Sequence, residues 1–267
     1  MNSMLKPTTL AQLAVTLAAC LFLLVPAILS VMAGVTENYF RGISSGVTLR
    51  WVGEVWRLYS DSIWRSMMIA IVCLGFTLVI GVPAAYALNR WAGRTARVIE
   101  EFISLPLAVP GLALALALLQ LYGSMKGFRI SWWFILVGHV LYTLPFMVRS
   151  VLAVFAAIDL KTLEEGAASL GASSWRRFRD IAVPNAMPGI LAGSLTVVTL
   201  SIGEFNLTWM LHTPITKTLP VGLADSYASM RLEIASAYTL VFFVMIVPLL
   251  VALQWASTRA QTIGKRP

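Results

Sequence analysis

The chain has 267 residues, 58% of them hydrophobic and only 12% charged, with a formal net charge of +8. Its mean hydropathy of +0.81 leaves too few charges for the polar shell of a soluble domain, so it reads as an integral membrane protein. No basic tract is dense enough for nucleic acid, and Cys20 and Cys73, both inside apolar runs, suggest core packing rather than a disulfide or metal site.

Six apolar runs reach the ~20 residues that a spanning helix needs. They cover about 10–34, 67–88, 102–122, 131–157, 188–211 and 235–256. The first exceeds the ~7–15 apolar residues of a secretory signal and is expected to be a retained helix. Pro26, Pro83, Pro106, Pro110, Pro145 and Pro248 lie in these runs. In a membrane bundle, neighbouring helices satisfy the freed carbonyls, so the prolines are expected to kink spans rather than end them.

The connection at 35–66 has a pattern of its own. Trp51, Val52, Val55, Trp56, Tyr59 and Ile63 recur at helical spacing, with Arg50, Glu54, Arg57, Asp61 and Arg65 around the rest of the circumference. This predicts a helix lying flat at the outer interface, or a short one packed across the bundle mouth. Orientation follows from basic residues. The side holding Lys6, Arg90, Arg94, Arg97, Arg149, the 158–187 segment and Arg259, Lys265 and Arg266 carries 12 of the 20 Lys and Arg, against 8 opposite. That side is expected to be cytoplasmic, with both termini.

Between the fourth and fifth runs, "EEGAASLGASSWRRFRDIAVP" (164–184) holds three arginines, two glutamates and an aspartate. Leu160, Leu163, Ala167 and Leu170 form one helical stripe. Gly171 suits the left-handed end of that helix. Ser173 suits the N-cap of a second short helix, which Pro184 is expected to terminate. The small face at Gly166, Ala167, Ala168 and Gly171 would let another protein's backbone approach closely.

These residues resemble the "EAA" loop in permease subunits of binding-protein-dependent ABC importers. That pattern reads E-A-A, three residues, G, nine residues, I-x-L-P. Glu165, Ala167, Gly171, Ile181 and Pro184 keep its spacing, with Gly166 for the first alanine and Val183 for the leucine. "ISLPLAVPG" in the third run and "LYTLPFMVR" in the fourth are similar to the same family, and the resemblance covers essentially the whole chain.

The resemblance implies an all-α inner-membrane permease of six spans, a single domain of the type I importer fold. Its cytoplasmic loop, 158–187, would seat a coupling helix in a groove of an ATPase subunit, through Glu165, Gly166, Ala167, Ala168, Leu170, Gly171, Ile181 and Pro184. Implied partners are two copies of that ATPase, a second permease (a different one favoured over an identical one), an extracytoplasmic solute-binding protein and membrane lipid. ATP would be bound by the ATPase, leaving this chain without a catalytic residue, metal or cofactor. No G-x-x-x-x-G-K-[ST] loop is present; the nearest fragment, Gly264–Lys265, is followed by arginine.

Glu204 is the only acidic residue inside a predicted span. An ionisable group there usually faces a cavity or a partner. Ser201, Glu204 and Thr208 would share one face of a continuous helix, with Asn206 off that line. The four are expected to line a translocation path, the alternative being a structural carboxylate. His139 reads as an interhelical hydrogen-bonder and Arg149 as an interfacial anchor. The chain looks most like the polyamine, aminoalkylphosphonate and ferric-ion branch, with molybdate, tungstate and sulfate permeases close behind; Glu204 suits an amine better than a bare oxyanion. A different class, an ion-coupled secondary transporter using Glu204 as relay, would often show repeated halves, and no repeat is visible.

Overall fold

The computed structural model describes residues 7–91 and 93–263. Lys6, Lys265 and Arg266, which contribute to the orientation argument, and Gly264 lie outside the described residues. Among the described residues the chain is helical, with an isolated bridge between Thr36 and Val47 and no strand. Five helices are long and apolar enough to cross a membrane: α1 (Pro7–Ala33), α2 (Arg50–Trp91), α6 (Trp132–Ala157), the run Ser174–Gly203, and α12 (Leu232–Ile263). The pair α3 (Arg94–Ala108) and α4 (Gly111–Tyr122), bent by 104° between them, raises the number to six only where the two are counted as one broken span. Shorter helices are α5 (Lys126–Arg129), α7 (Leu160–Ser169), α10 (Asn206–Leu211) and α11 (Leu219–Ala228).

Four expectations are corrected. The outer amphipathic pattern is neither a flat interfacial helix nor a separate short one, because α2 is a single helix of 42 residues. The helix runs unbroken through this pattern into the apolar run that follows. The third run is not one kinked span: it breaks at Val109–Pro110, where Pro110 holds φ −55 and ψ 138, an extended conformation outside the helical region. Pro184 does not end the short helix after Ser173. That helix, α8 (Ser174–Arg177), passes through a π turn at Phe178–Ala182 into α9 (Val183–Gly203), giving one run of 30 residues. The π turn shifts the hydrogen-bond register just before Pro184, which sits in the first turn of α9, where its missing N–H does least harm. Finally, the fifth span does not continue to Leu211; α9 stops at Gly203 and α10 begins at Asn206.

The chain forms two compact units. In the unit of residues 7–60 and 223–244, α1 shows its apolar residues outward, Cys20 among them, so that cysteine is exposed rather than packed. The segment after α1 is tied down by polar contacts. Tyr39 N–H donates to Glu233 Oε1 at 3.0 Å, and Trp51 Nε1–H donates to the Thr36 carbonyl at 2.9 Å.

The unit of residues 61–222 and 245 onward is built on α6 and α9. Gly189 and Gly193 lie one turn apart on α9 and let it approach α6 backbone to backbone, as small-xxx-small pairs do in membranes. A Cβ at Gly189 would stand 2.5 Å from the Ser150 carbonyl oxygen. Cys73 is buried here, 3.2 Å from the Thr143 hydroxyl. On the far side, Arg65 donates to the Lys217 carbonyl and Ser66 accepts from Leu219 N–H, fixing the connection after α10 to α2.

The α6–α9 contact makes a direct prediction. Gly189→Ala overpacks against backbone, so stability should fall by about 1–3 kcal/mol, read as earlier loss of monodisperse protein on heating in detergent. Gly75→Ala, where an added methyl meets nothing within 4 Å, should match wild type. Equal thermal behaviour of the two variants would refute the tight contact.

Candidate functional site

Two places carry the polar residues singled out by the sequence. The first is the loop around α7. Asp159 caps α7, accepting from Thr162 N–H at 3.2 Å and from the Thr162 hydroxyl at 2.6 Å. Those hydrogen bonds stabilise the carboxylate and hold its pKa below the ordinary value. At the other end, Gly171 adopts φ +82, Gly171 N–H donates to the Ala168 carbonyl, and Ala172 N–H donates to the Ala167 carbonyl. This paired closure is a Schellman turn, and it needs the left-handed residue that glycine supplies. Ser173 then caps the following helix by accepting from Arg176 N–H. The Gly171 turn and the Ser173 cap match the sequence expectation, whereas the Asp159 cap is shown only by the structure.

The predicted stripe on α7 is not what the helix buries. Leu160 is buried at 2%, yet Leu163 is 46% and Leu170 90% exposed. The buried face pairs Leu160 with Glu164, one turn on. Glu165, Gly166, Ala168, Ser169 and Gly171 are exposed, with Ala167 half-buried; a Cβ at Gly166 or Gly171 would meet nothing within 4 Å. Trp175 extends the exposed apolar surface. Ile181 instead turns inward against the core and Pro184 outward from the first turn of α9.

The second place is the break between α9 and α10. Glu204 is extended there (φ −69, ψ 118), and its carboxylate folds forward over α10. It accepts from Leu207 N–H and Thr208 N–H, each at 3.0 Å, and from the Thr208 hydroxyl at 3.2 Å. Two otherwise orphaned donors are thereby satisfied. From α6, His139 reaches both sides of the break, with Nδ1 2.8 Å from Ser201 Oγ and Nε2 2.8 Å from Thr208 Oγ1. Because the Thr208 hydroxyl donates to Glu204, it accepts from Nε2–H, leaving Nδ1 to accept from Ser201. The chain of hydrogen bonds therefore runs Ser201, His139, Thr208, Glu204.

Ser201, Glu204 and Thr208 are thus brought together, though by a broken helix rather than by one continuous face. Ser201 and Thr208 are buried beneath His139, while Glu204 is half-buried and Asn206 exposed. The second break in the bundle meets this one: a Cβ at Gly111, the first residue of α4, would lie 3.5 Å from Asn206 Cβ and 3.6 Å from Glu204 Oε1. The carboxylate therefore sits beside the N-terminal end of α4, where the helix dipole favours negative charge. Facing discontinuous helices are a common way for transporters to build a site in the bilayer. Arg149 is exposed on an open cavity of about 650 Å³, with Asn89, Arg97 and Glu100 on its other walls.

Residues 77–261 match the family described as "Binding-protein-dependent transport system inner membrane component". The chain belongs to that family. It is 27% identical over 243 residues to PhnV of Salmonella typhimurium, whose name attaches it to a 2-aminoethylphosphonate transport system, covering 89% of this chain and 90% of that one. It is 27% identical over 204 residues to PotC of Escherichia coli K12, a spermidine/putrescine transport system permease protein, covering 75% and 76%. Among solved structures, the bacterial alginate ABC transporter in complex with its pentasaccharide-bound periplasmic protein superposes with a TM-score of 0.76 at 16% identity, covering 94% of each chain. The MetNI methionine ABC transporter gives 0.63 at 18% identity, over 80% of this chain and 99% of that one. The fold is that of type I ABC importer permeases, and the protein is a permease component of such an importer. The family membership decides against the ion-coupled secondary transporter.

Proposed function

We propose that this permease forms the inner-membrane path for a small amine-bearing solute, delivered by an extracytoplasmic binding protein and driven by a separate ATPase that docks on α7. The observation that carries the docking is the open face of α7, where Leu170 is 90% exposed on a helix fixed at both ends by its caps. An apolar, small-residue face outside the bilayer suits insertion into a partner's groove. One chain offers one such helix, and closure of an ATPase pair requires two. A second permease therefore completes the assembly, a paralogue by the habit of the branch this chain resembles.

The substrate class rests on two features. The named substrates of PhnV and PotC both carry an amine. Glu204 and Asn206 are the exposed or half-exposed polar residues at the meeting of the two helix breaks, and a carboxylate there would solvate a cationic group that has left water. The basic-residue bias supports a cytoplasmic side for α7, the connection from Arg90 to Arg97 and both termini.

Three measurements check this reading. Gly171→Leu introduces bulk and removes the left-handed turn, so the co-purifying ATPase should dissociate or hydrolyse ATP without uptake while the membrane bundle survives; full uptake with intact co-purification would exclude docking at this turn. Glu204→Gln keeps the shape and removes the charge. Uptake of an amine-bearing solute should drop by about tenfold, the effect of losing ~1.4 kcal/mol of transition-state or ground-state stabilisation, with assembly intact. Undiminished uptake, or failure to assemble, would assign Glu204 to capping α10 alone. For orientation, cysteines at Ser44 and Ser169 in a background without Cys20 and Cys73 are exposed to an impermeant thiol reagent in intact cells. Labelling of the first only is expected, and labelling of the second only would reverse the topology.

A further inference from the structure

Two adjacent glutamates begin the polar segment, and the structure treats them oppositely. Glu165 points into solvent, 3.8 Å from Lys161 one turn earlier, with both side chains mostly exposed. Such a pair contributes little. Glu164 is only 5% exposed. Its Oε1 accepts from the Tyr86 hydroxyl, and its Oε2 lies 3.6 Å from Arg90 Nε. Tyr86 and Arg90 are one turn apart on α2, and Arg90 Nη1 lies 3.4 Å from the Tyr86 oxygen. The Tyr86 ring is held in turn, by Phe155 of α6 at 6.4 Å and by Phe178 of the π turn at 5.1 Å between centroids.

α7 keeps most of its circumference in solvent, and the residues it buries are Leu160 and Glu164. The apolar contact of Leu160 is non-directional and tolerates sliding. The contact of Glu164 is directional on both oxygens and partly desolvated, so a displaced α7 would leave a buried carboxylate without partners, a costly state. We propose that Glu164 is a positioning residue that latches α7 to the inner end of α2, so that force applied to α7 moves α2 with it instead of tilting α7 alone. This rests on the reading of α7 as the ATPase-docking helix, and it assigns a role to a residue outside the docking face. Tyr86 and Arg90 are the catch, and Phe155 and Phe178 keep the catch in place.

The test uses the whole transporter, reconstituted with its ATPase and binding protein, and reads uptake per ATP hydrolysed. Glu164→Ala should lower that ratio by about fivefold or more, the lower end of the range for coupling between sites, with the ATPase still bound. Glu164→Gln, which still accepts from Tyr86 but loses the Arg90 charge pair, should recover part of it, and Tyr86→Phe should behave between the two. In parallel, spin labels at Lys161 and Trp91, in a background without Cys20 and Cys73, report the α7–α2 distance in the permease. That distribution should broaden in Glu164→Ala and narrow again in Glu164→Gln. A wild-type ratio together with a wild-type distance distribution in Glu164→Ala would overturn the latch. If Glu164→Ala does not assemble, Glu164→Gln and Tyr86→Phe decide on the same two readouts. Loss of the ATPase with an unchanged distance distribution would instead fault the docking reading, and it too counts against a latch, since nothing at α7 would then have loosened.

Discussion

A backbone N–H or C=O inside a bilayer must find its partner within the protein, because no water is there to supply one. Several departures from regular helix among the described residues carry the mark of that constraint. Where α9 stops at Gly203, Glu204 takes two of the freed donors of α10 on its own carboxylate. Where α3 gives way to α4, Pro110 stands in the gap, a residue with no donor to lose. Before Pro184 the register slips through a π turn and the helix continues. At its end, α7 closes through the Gly171 turn with the Ala167 and Ala168 carbonyls paired.

The central helix α6 is what the breaks are fastened to. It accepts α9 at backbone distance through Gly189 and Gly193, and carries His139 across from Ser201 to Thr208. A histidine with both ring nitrogens paired bridges the interrupted span and leaves no buried polar atom of its own unsatisfied. Near its C-terminal end, Phe155 supports Tyr86. One helix thus positions the membrane break and steadies the residues beneath α7. In an importer, a movement at one level must be felt at the other.

Much was open to reading from residues alone. Long apolar runs fix a membrane bundle because nothing else can bury them. The end of α7 at Gly171 and the start of α8 at Ser173 follow from local chemistry: a residue that adopts positive φ, and a hydroxyl that accepts from a first-turn N–H. The spacing of Glu165, Gly171, Ile181 and Pro184 carried the family. Each of these depends on a few neighbouring residues, and so is written in the order of the chain.

What the sequence could not show depended on distant partners. Pro106 and Pro110 lie four residues apart in one run, yet the first stays inside α3 and the second stands extended at the break, where α4 meets α10. Pro184 reads as a stop only if the register before it is assumed regular. Glu204 looked like one face of a continuous helix until the break turned it into a cap beside α4. Glu164 and Glu165 are the same residue type in adjacent positions, and the motif singles out the second. Their roles separate only when α7 is laid against α2, because a helix turns ~100° per residue and puts one carboxylate under Tyr86 and the other in water. Apolar length, caps and motif spacing were therefore determined by the sequence itself, whereas burial, and with it the meaning of each charge, was decided by the tertiary structure.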